Sequence, residues 1–437
     1  MAALERFGGA IVCSLRGDPV RIAAVPLSRK AEARMAIRHR VGVLASLVPL
    51  AGCPSSPPGE LAGAPMAESA ISRGPATTEA PGVRYYVSTG GSDSNPGSAG
   101  APFRTIQMAA EAAGAADTVV VRPGIYTGSD RIVSLTRSGT PGRPITFVSE
   151  RRWGAVLDGQ NGRSSVAWYF GPGTSHIKVE GFEIRDLGAH GFDFYGGRVH
   201  DIAIARNHVH HVGRSCTDTR NGRTGASLGA GASRVTFDGN FWHHIGRFAP
   251  GEQGCSPQTA YYQNHDHGIY VADADAIVIK NNVFYAFGRG WPIHRYSSGK
   301  TAARGLTIVN NTFRGKNSFR AGHIILASPT EGLRIENNIF HAPNTAALYF
   351  ENLRFPEAKV RYNMIHGAVM KVGKPRGVTF SRNWERTDPK LVDARDFRLR
   401  YDSPAIDAGL PLAEVSHDAD GVGRPRGTGY DLGAYER

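Results

Sequence analysis

The stretch His265-Asp266-His267-Gly268-Ile269-Tyr270-Val271, followed shortly by Asp275-Ala276-Ile277-Val278-Ile279-Lys280-Asn281-Asn282, decides the fold. It reads as two short strands joined by a tight turn, the second closed by asparagine. Variants of the phrase recur from about residue 176 to 383. Their asparagines mark the beat: Asn207, Asn240, Asn282, Asn311, Asn338, Asn363 and Asn383, at gaps of 33, 42, 29, 27, 25 and 20 residues. Self-similarity at this scale signals a repeat architecture. Each unit carries period-two apolar runs, as in Ile277-Val278-Ile279, Leu306-Thr307-Ile308 and Leu333-Arg334-Ile335, which is strand patterning. No unit holds a helical stripe. The expectation is an all-β fold, a parallel β-helix whose rungs pile up about 4.8 Å apart. Each stacked asparagine then bonds backbone groups that the bend leaves unpaired.

The rest of the chain agrees. It has 437 residues, 41% apolar and 20% charged, with 54 glycines, as suits a soluble, turn-rich β protein. Thr105 to Ala113 is the one good helix, with Ile106, Ala109, Ala110 and Ala113 on one face. A helix just before the first rung is expected to cap the open coil end. Thr118-Val119-Val120-Val121 begins the coils.

Residues 35–53 read as an export signal: Arg38-His39-Arg40, then the short apolar run Val41 to Leu50, too short to span a bilayer. The end, Leu50-Ala51-Gly52-Cys53, resembles the bacterial lipoprotein cleavage box, which implies lipidation at Cys53; ordinary secretion is the alternative. The expected organisation is an upstream extension and signal at 1–53, a Pro/Ser/Ala/Gly-rich tether at 54–82, the β-helix at 83–383 and a C-terminal cap at 384–437. The expected location is exported, held to the cell envelope by lipid or released, with membrane contact only through that anchor and a monomeric chain.

The region 85–159 resembles the opening of the right-handed parallel β-helix, pectate-lyase-like superfamily, and the repeats extend the likeness. Ser403-Pro404-Ala405-Ile406-Asp407-Ala408-Gly409 and Asp431-Leu432-Gly433-Ala434-Tyr435-Glu436 resemble a tail common on exported bacterial members. The resemblance implies a right-handed coil and a polysaccharide lyase, epimerase or hydrolase; fold alone does not choose among them.

Outside the leader the cysteines are Cys216 and Cys255, both in long loops that leave the coil at matching places. A disulfide between neighbouring rungs is expected. The same alignment stacks Arg214, Arg247 and Arg289, with Lys316 continuing the row. Like charges at rung spacing repel unless anions sit between them. They are expected either to be solvated loop charges or to form a rail for a polyanion. The net charge of +13 agrees; the first 53 residues hold eight Lys/Arg and three Asp/Glu, leaving 43 against 35, or +8. For an exported β-helix the partner expected is an acidic polysaccharide, not nucleic acid.

Registering the phrases puts His190-Gly191-Phe192-Asp193 over Gly225-Ala226-Ser227-Leu228 and then His267-Gly268-Ile269-Tyr270. With Phe192 and Ile269 inward, Asp193, Ser227 and Tyr270 face outward on one wall. The next rung adds His294 and Tyr296, after which Ile325 makes the column apolar. His190-Gly191-Phe192-Asp193 and Asp266-His267-Gly268 also resemble the catalytic segments of β-helix alginate epimerases and lyases. By that similarity Asp193 matches the conserved acid and His267 the catalytic histidine, though His190 stands where that family has tyrosine and Asp266 where it has arginine. Eliminating across a uronate needs a base, an acid for the leaving oxygen and a cation on the carboxylate. His267 or His190 is the candidate base, Tyr270 the acid, and Arg295, Arg289 or Arg247 the carboxylate clamp, with His294 beside them. Strict alternation nevertheless points Arg295 inward unless Pro292 reverses the parity.

Ten of the sixteen histidines fall between 190 and 294. His265 and His267 are candidate ligands for a transition metal, and Asp273 with Asp275 a weak candidate for Ca2+. The pairs His210/His243 and His211/His244 read as hydrogen-bonded stacks at turns. The first expectation is β-elimination on a uronate polysaccharide. The alternatives are a non-catalytic surface glycan-binding or adhesion protein, a C5-epimerase and a glycoside hydrolase; paired carboxylates for the last are not evident.

Overall fold

A computed structural model describes residues 81–437 except 217–220, 230, 249–250, 257–264, 298–302 and 318. The signal, Cys53 and nearly all of the tether lie outside the described residues.

Among the described residues three long parallel sheets, with a short two-stranded one beside them, wind around one core, and most coils of chain give one strand to each long sheet. The long sheets have eleven, ten and nine strands, in which neighbours in space are successive coils in sequence. The strands run from Arg84–Val87 to Trp384–Glu385. The one α-helix among the described residues, Ile106–Ala112, is capped by the Thr105 hydroxyl, which accepts from the Met108 N–H, and buries Ile106, Ala109 and Ala110 against the first coils. No helix of the described residues is long and apolar enough to cross a membrane.

The interior is built by repetition. On the ten-stranded sheet Trp242, Phe284, Phe313 and Phe340 occupy one inward column. Phe284 and Phe313 stack at 4.8 Å, and Phe313 and Phe340 at 4.9 Å, with planes within 6° and 13° of parallel. At the corner between the eleven- and ten-stranded sheets runs the asparagine column. Each Oδ1 accepts the backbone N–H of the asparagine one rung earlier, unbroken from Asn240 to Asn383, at 2.9–3.0 Å. The amide nitrogens donate to carbonyls of the coil, as Asn311 Nδ2 does to Ile279 (2.8 Å) and Val309 (3.0 Å). The bend's unpaired groups are thereby satisfied.

The C-terminal segment returns along this corner. The residue before the ladder asparagine is also asparagine on three rungs: Asn281, Asn310 and Asn337, all left-handed (φ 56, 50 and 57). Asparagine tolerates that conformation. Their amides donate to carbonyls of the tail at His417, Asp431 and Leu410. Within the tail, Arg424 and Glu436 form a fully buried ion pair at 2.5 Å.

Candidate functional site

The nine-stranded sheet carries the site. Its strands His190–Asp193, Thr224–Leu228, His267–Ala272, Ile293–Tyr296 and Gly322–Leu326 are neighbours in that order. The register places Asp193, Ser227, Tyr270, His294 and Ile325 in one row. A second row holds His190, Thr224 and His267. Phe192, Ala226, Ile269 and Ile293 point into the core with no exposure, so Asp193, Ser227, Tyr270 and His294 face out. His190, Thr224 and His267, at the start of their strands, line the cavity although strict alternation would turn them inward. A cavity of about 710 Å³ opens over these rows; among its walls are His190, Asp193, His267, Tyr270, His294 and Tyr296. That volume suits a few sugar rings or a comparable ligand.

His267, Tyr270 and His294 form a contiguous group. The ring centroids of His267 and His294 are 4.4 Å apart, His267 and Tyr270 5.5 Å, and Tyr270 and His294 5.3 Å. The hydrogen bonds assign the imidazole protons. The Trp291 N–H points at His267 Nδ1 (3.2 Å), so neutral His267 carries its proton on Nε2. That nitrogen lies 2.8 Å from His294 Nδ1, which therefore accepts, leaving the His294 proton on Nε2. His294 Nε2 is buried and has no hydrogen-bond partner among the described residues. Burial, helped by the nearby His265 and Arg320, pushes the His294 pKa down to about 3, so the ring is neutral at ordinary pH. Burial also raises the Tyr270 phenol well above its usual range, with Tyr195 and Tyr296 adding to the effect. Tyr270 is thus a proton donor and not a phenolate.

Across the cavity wall, His190 Nδ1 lies 2.9 Å from the Thr224 hydroxyl. Burial lowers its pKa to about 4, against the opposing pull of Asp193. Asp193 is held by the Tyr195 N–H (2.9 Å). Tyr195 lies against Gly229, where a Cβ would come within 2.3 Å of its ring, so a larger residue there would push the ring aside.

Several expected residues sit elsewhere. Arg295 has no exposure and lies inside the coil, as plain alternation dictates; its Nη1 donates to the Val271 carbonyl (3.2 Å) and its Nε to the Thr330 hydroxyl (3.2 Å). It cannot meet a substrate in the cavity. The arginine row does stack, but it is not a surface rail. Arg247 and Arg289 are fully buried, and Arg214 is mostly buried. The loops fold over this corner and bring their own carboxylates. Glu252 pairs with Arg214, and the fully buried Asp266 faces Arg247 at 3.4 Å. Asp266 also accepts the backbone N–H groups of Arg223 and Arg247 (3.0 and 2.9 Å), tying two rungs together. Lys316 alone of that row is exposed.

For metals, His265 reaches the cavity wall with His267. Among the described residues, however, the groups whose ligand atoms lie within 4.8 Å of one another are His208-His210-His243, His176-His200-Asp201 and His341-His366-Asp388. Asp275 accepts the Arg304 N–H and Asp273 accepts the Ser297 hydroxyl, so each carboxylate is engaged locally. The loops carrying Cys216 and Cys255 are joined by a disulfide, with Cα atoms 5.2 Å apart.

Two residues of the cavity wall, and one charge near it, escaped sequence reasoning. Tyr195 lies two residues past Asp193, the same step that links Tyr296 to His294, so the repeat frame contained it. Thr224 aligned between His190 and His267 and was legible in the same way. Arg320 had no such signal. It precedes the strand Gly322–Leu326, its charge reaches His294, and its Nε and Nη2 have no hydrogen-bond partner among the described residues.

Known proteins match the same coils. The family model described as Pel9A-like, right handed beta helix region, matches residues 85–238. The model described as right handed beta helix region matches 170–317 and 260–384. Uncharacterized protein YwoF of Bacillus subtilis (strain 168) is 27% identical over 380 residues, covering 70% of this chain and 79% of that protein. Pectate lyase PEL9 of Emericella nidulans is 36% identical over 75 residues, which is 17% of this chain and 18% of the lyase. The crystal structure of pectate lyase Pel9A superposes with a TM-score of 0.51 at 16% identity, covering 82% of this chain and 97% of that one. Parallel coils, a continuous asparagine column and these matches together place the chain in the right-handed parallel β-helix superfamily.

Proposed function

We propose that the protein is an exported polysaccharide lyase that cleaves an acidic, uronate-containing polysaccharide by β-elimination. The observation that carries this reading is the contiguous His267, His294 and Tyr270 group on the wall of the 710 Å³ cavity. The likeness to pectate lyase PEL9 supports the substrate class.

Elimination removes the proton beside the uronate carboxylate and expels the oxygen across the bond. His190 is the base: its neutral ring bonds Thr224 through Nδ1, and Nδ1–H donation to that hydroxyl frees Nε2 to take the proton. Tyr270, held protonated by burial, gives its phenolic proton to the leaving oxygen. His294 offers Nε2–H, unpartnered among the described residues, to the carboxylate as negative charge builds. We assign the cation on the carboxylate to Arg320, whose charge is felt at His294 from just behind the wall. His267 acts through His294, because both of its ring nitrogens are engaged. Tyr195, Tyr270 and Tyr296 give sugar rings apolar faces to lie on.

These three tyrosines equally favour a second reading, a glycan-binding protein without catalysis. A C5-epimerase would share the proton abstraction and return the proton to the opposite face. Incubation with pectate and alginate separates the three. A lyase gives an ultraviolet-absorbing unsaturated product, an epimerase exchanges solvent deuterium into the polymer without cleavage, and a binder does neither. Lyase activity unchanged in both Tyr270→Phe and His294→Gln would refute the site.

The Cys216–Cys255 disulfide supports an oxidising compartment, and with the 35–53 signal an exported chain lipidated at Cys53. We take it to act as a monomer.

A further inference from the structure

We propose that His208, His210 and His243, with Glu183, form a binding site for a divalent transition metal on the ten-stranded sheet, apart from the cavity. His208 and His210 are two residues apart on the strand His208–His210 and therefore face the same way. His243 stands beside His210 on the next rung, and Glu183 beside His208 on the rung before. The inward residues between them, Ile184, Val209 and Trp242, are fully buried, so all four polar side chains share the outer face.

Their donor atoms converge. The ligand nitrogens of the three histidines lie within 4.8 Å of one another. His208 Nε2 is 2.8 Å from His243 Nε2, and His210 Nε2 is 3.3 Å from Glu183 Oε1. His210 is 8% exposed, and its buried Nε2 is aimed at the Glu183 carboxylate. Three imidazole nitrogens and a carboxylate oxygen drawn together on one face are a donor set that a divalent transition metal takes. A tetrahedral ion about 2.0–2.1 Å from each nitrogen would need His208 and His243 to part by about half an ångström and the His210 and His243 rings, stacked within 3° of parallel, to turn towards it.

The outer contacts are also those of a ligand set. His210 Nδ1 lies 2.7 Å from His211 Nδ1, and His243 Nδ1 lies 2.6 Å from His244 Nδ1. The second nitrogen of two of the three ligands is therefore held, fixing tautomer and ring direction. Trp153 packs on His208 (4.7 Å between centroids) and Tyr285 on His243 (4.6 Å), walling the site from water. Arg185 Nη1 reaches the same Glu183 oxygen at 3.1 Å, but its charge is also met by Asp158 and Asp186. Three imidazoles and one carboxylate suit zinc or its neighbours and not calcium. Bound there, the ion would clamp three rungs together.

The test uses the full mature chain without a histidine tag. Zinc chloride is titrated by calorimetry against a competing chelator, and cobalt(II) reports coordination by its visible spectrum. Expected are one zinc per chain, a zinc-dependent rise in melting temperature, and a tetrahedral cobalt band. His208→Gln and His243→Gln should remove binding, and His211→Ala should weaken it about 10- to 100-fold. His267→Gln should leave zinc affinity unchanged. Wild-type protein that binds no zinc would overturn the proposal. So would affinity unchanged in a folded His208→Gln/His243→Gln double variant, or binding that is lost in His267→Gln, which would put the ion in the cavity. If the ligand variants do not fold, the unchanged affinity of His211→Ala together with an octahedral cobalt spectrum would refute it.

Discussion

Asn311→Ala tests the asparagine column directly. The Asn311 side chain is fully buried and makes five hydrogen bonds. Its Nδ2 donates to Ile279 O, Val309 O and Asn338 Oδ1; its Oδ1 accepts from Asn282 N and Asn282 Nδ2. Not all are lost equally. Asn282 Nδ2 keeps Phe237 O and Lys280 O as acceptors, and Asn338 Oδ1 keeps the Asn311 N–H. The backbone N–H of Asn282 loses its acceptor inside the protein, which costs about 1–3 kcal/mol, and the other bonds contribute about 1 kcal/mol each at most. The substitution should therefore destabilise by about 3–5 kcal/mol. Asn383→Ala is the control. It is only partly buried and ends the column, so water can replace its bonds and the loss should be nearer about 1 kcal/mol. Asn311→Asp keeps the acceptor but aims a carboxylate at two carbonyls, and should be at least as damaging as alanine. Guanidinium denaturation at unchanged slope reads these differences. An Asn311→Ala cost below about 1 kcal/mol, or one equal to that of Asn383→Ala, would show that the column does not hold the bend.

Other tests follow from the same structure. His323 is 2% exposed, and burial lowers its pKa to about 4. Above pH 6.5 both folded and unfolded forms are neutral; below it the unfolded chain gains a proton the folded chain refuses. Stability should fall from about pH 6.5 towards 4 by up to about 1.4 kcal/mol per pH unit from this residue, and His323→Phe should flatten that slope in melting curves. For catalysis, neutral His190 should place the acid limb of kcat/KM near pH 4, and Tyr270 should keep activity into strongly alkaline solution, until the fold fails. Tyr270→Phe should lower kcat about 100-fold or more with little change in KM, as measured by product absorbance. Reducing Cys216–Cys255, which closes a separation of 39 residues, should cost about 2–4 kcal/mol in denaturation, with no loss expected if the loops were held by packing alone.

What the sequence revealed was whatever repeats. The beat of Asn207 to Asn383 fixed the rungs, and period-two alternation then set which face each residue takes. That was enough to put Asp193, Ser227, Tyr270 and His294 in one row, and it pointed Arg295 inward, where it lies. Loops carry no such beat. Arg247 and Arg289 stack as the alignment requires, yet whether they meet solvent depends on how the excursions after Arg214 and Arg247 fold, and Asp266 and Glu252 decide it. The tail contacts of Asn281, Asn310 and Asn337 depend on a segment far away in sequence, and nothing local marks them. His210 and His243 were legible as a stack; that Glu183 and His208 converge on them required distances.

Because one row of side chains drawn from successive coils makes the wall of the cavity, its composition behaves like a column of type. Adding or deleting a whole turn before His190 or after Tyr296 would lengthen or shorten the rod and leave the wall intact. Excising the single turn that contributes Ser227 would bring Asp193 directly beside Tyr270, changing the spacing of the reactive groups while the core and the corner amides could still close over the gap. Chemistry on such a scaffold is editable in quanta of one coil, and the rod's length is free to drift independently of what it does.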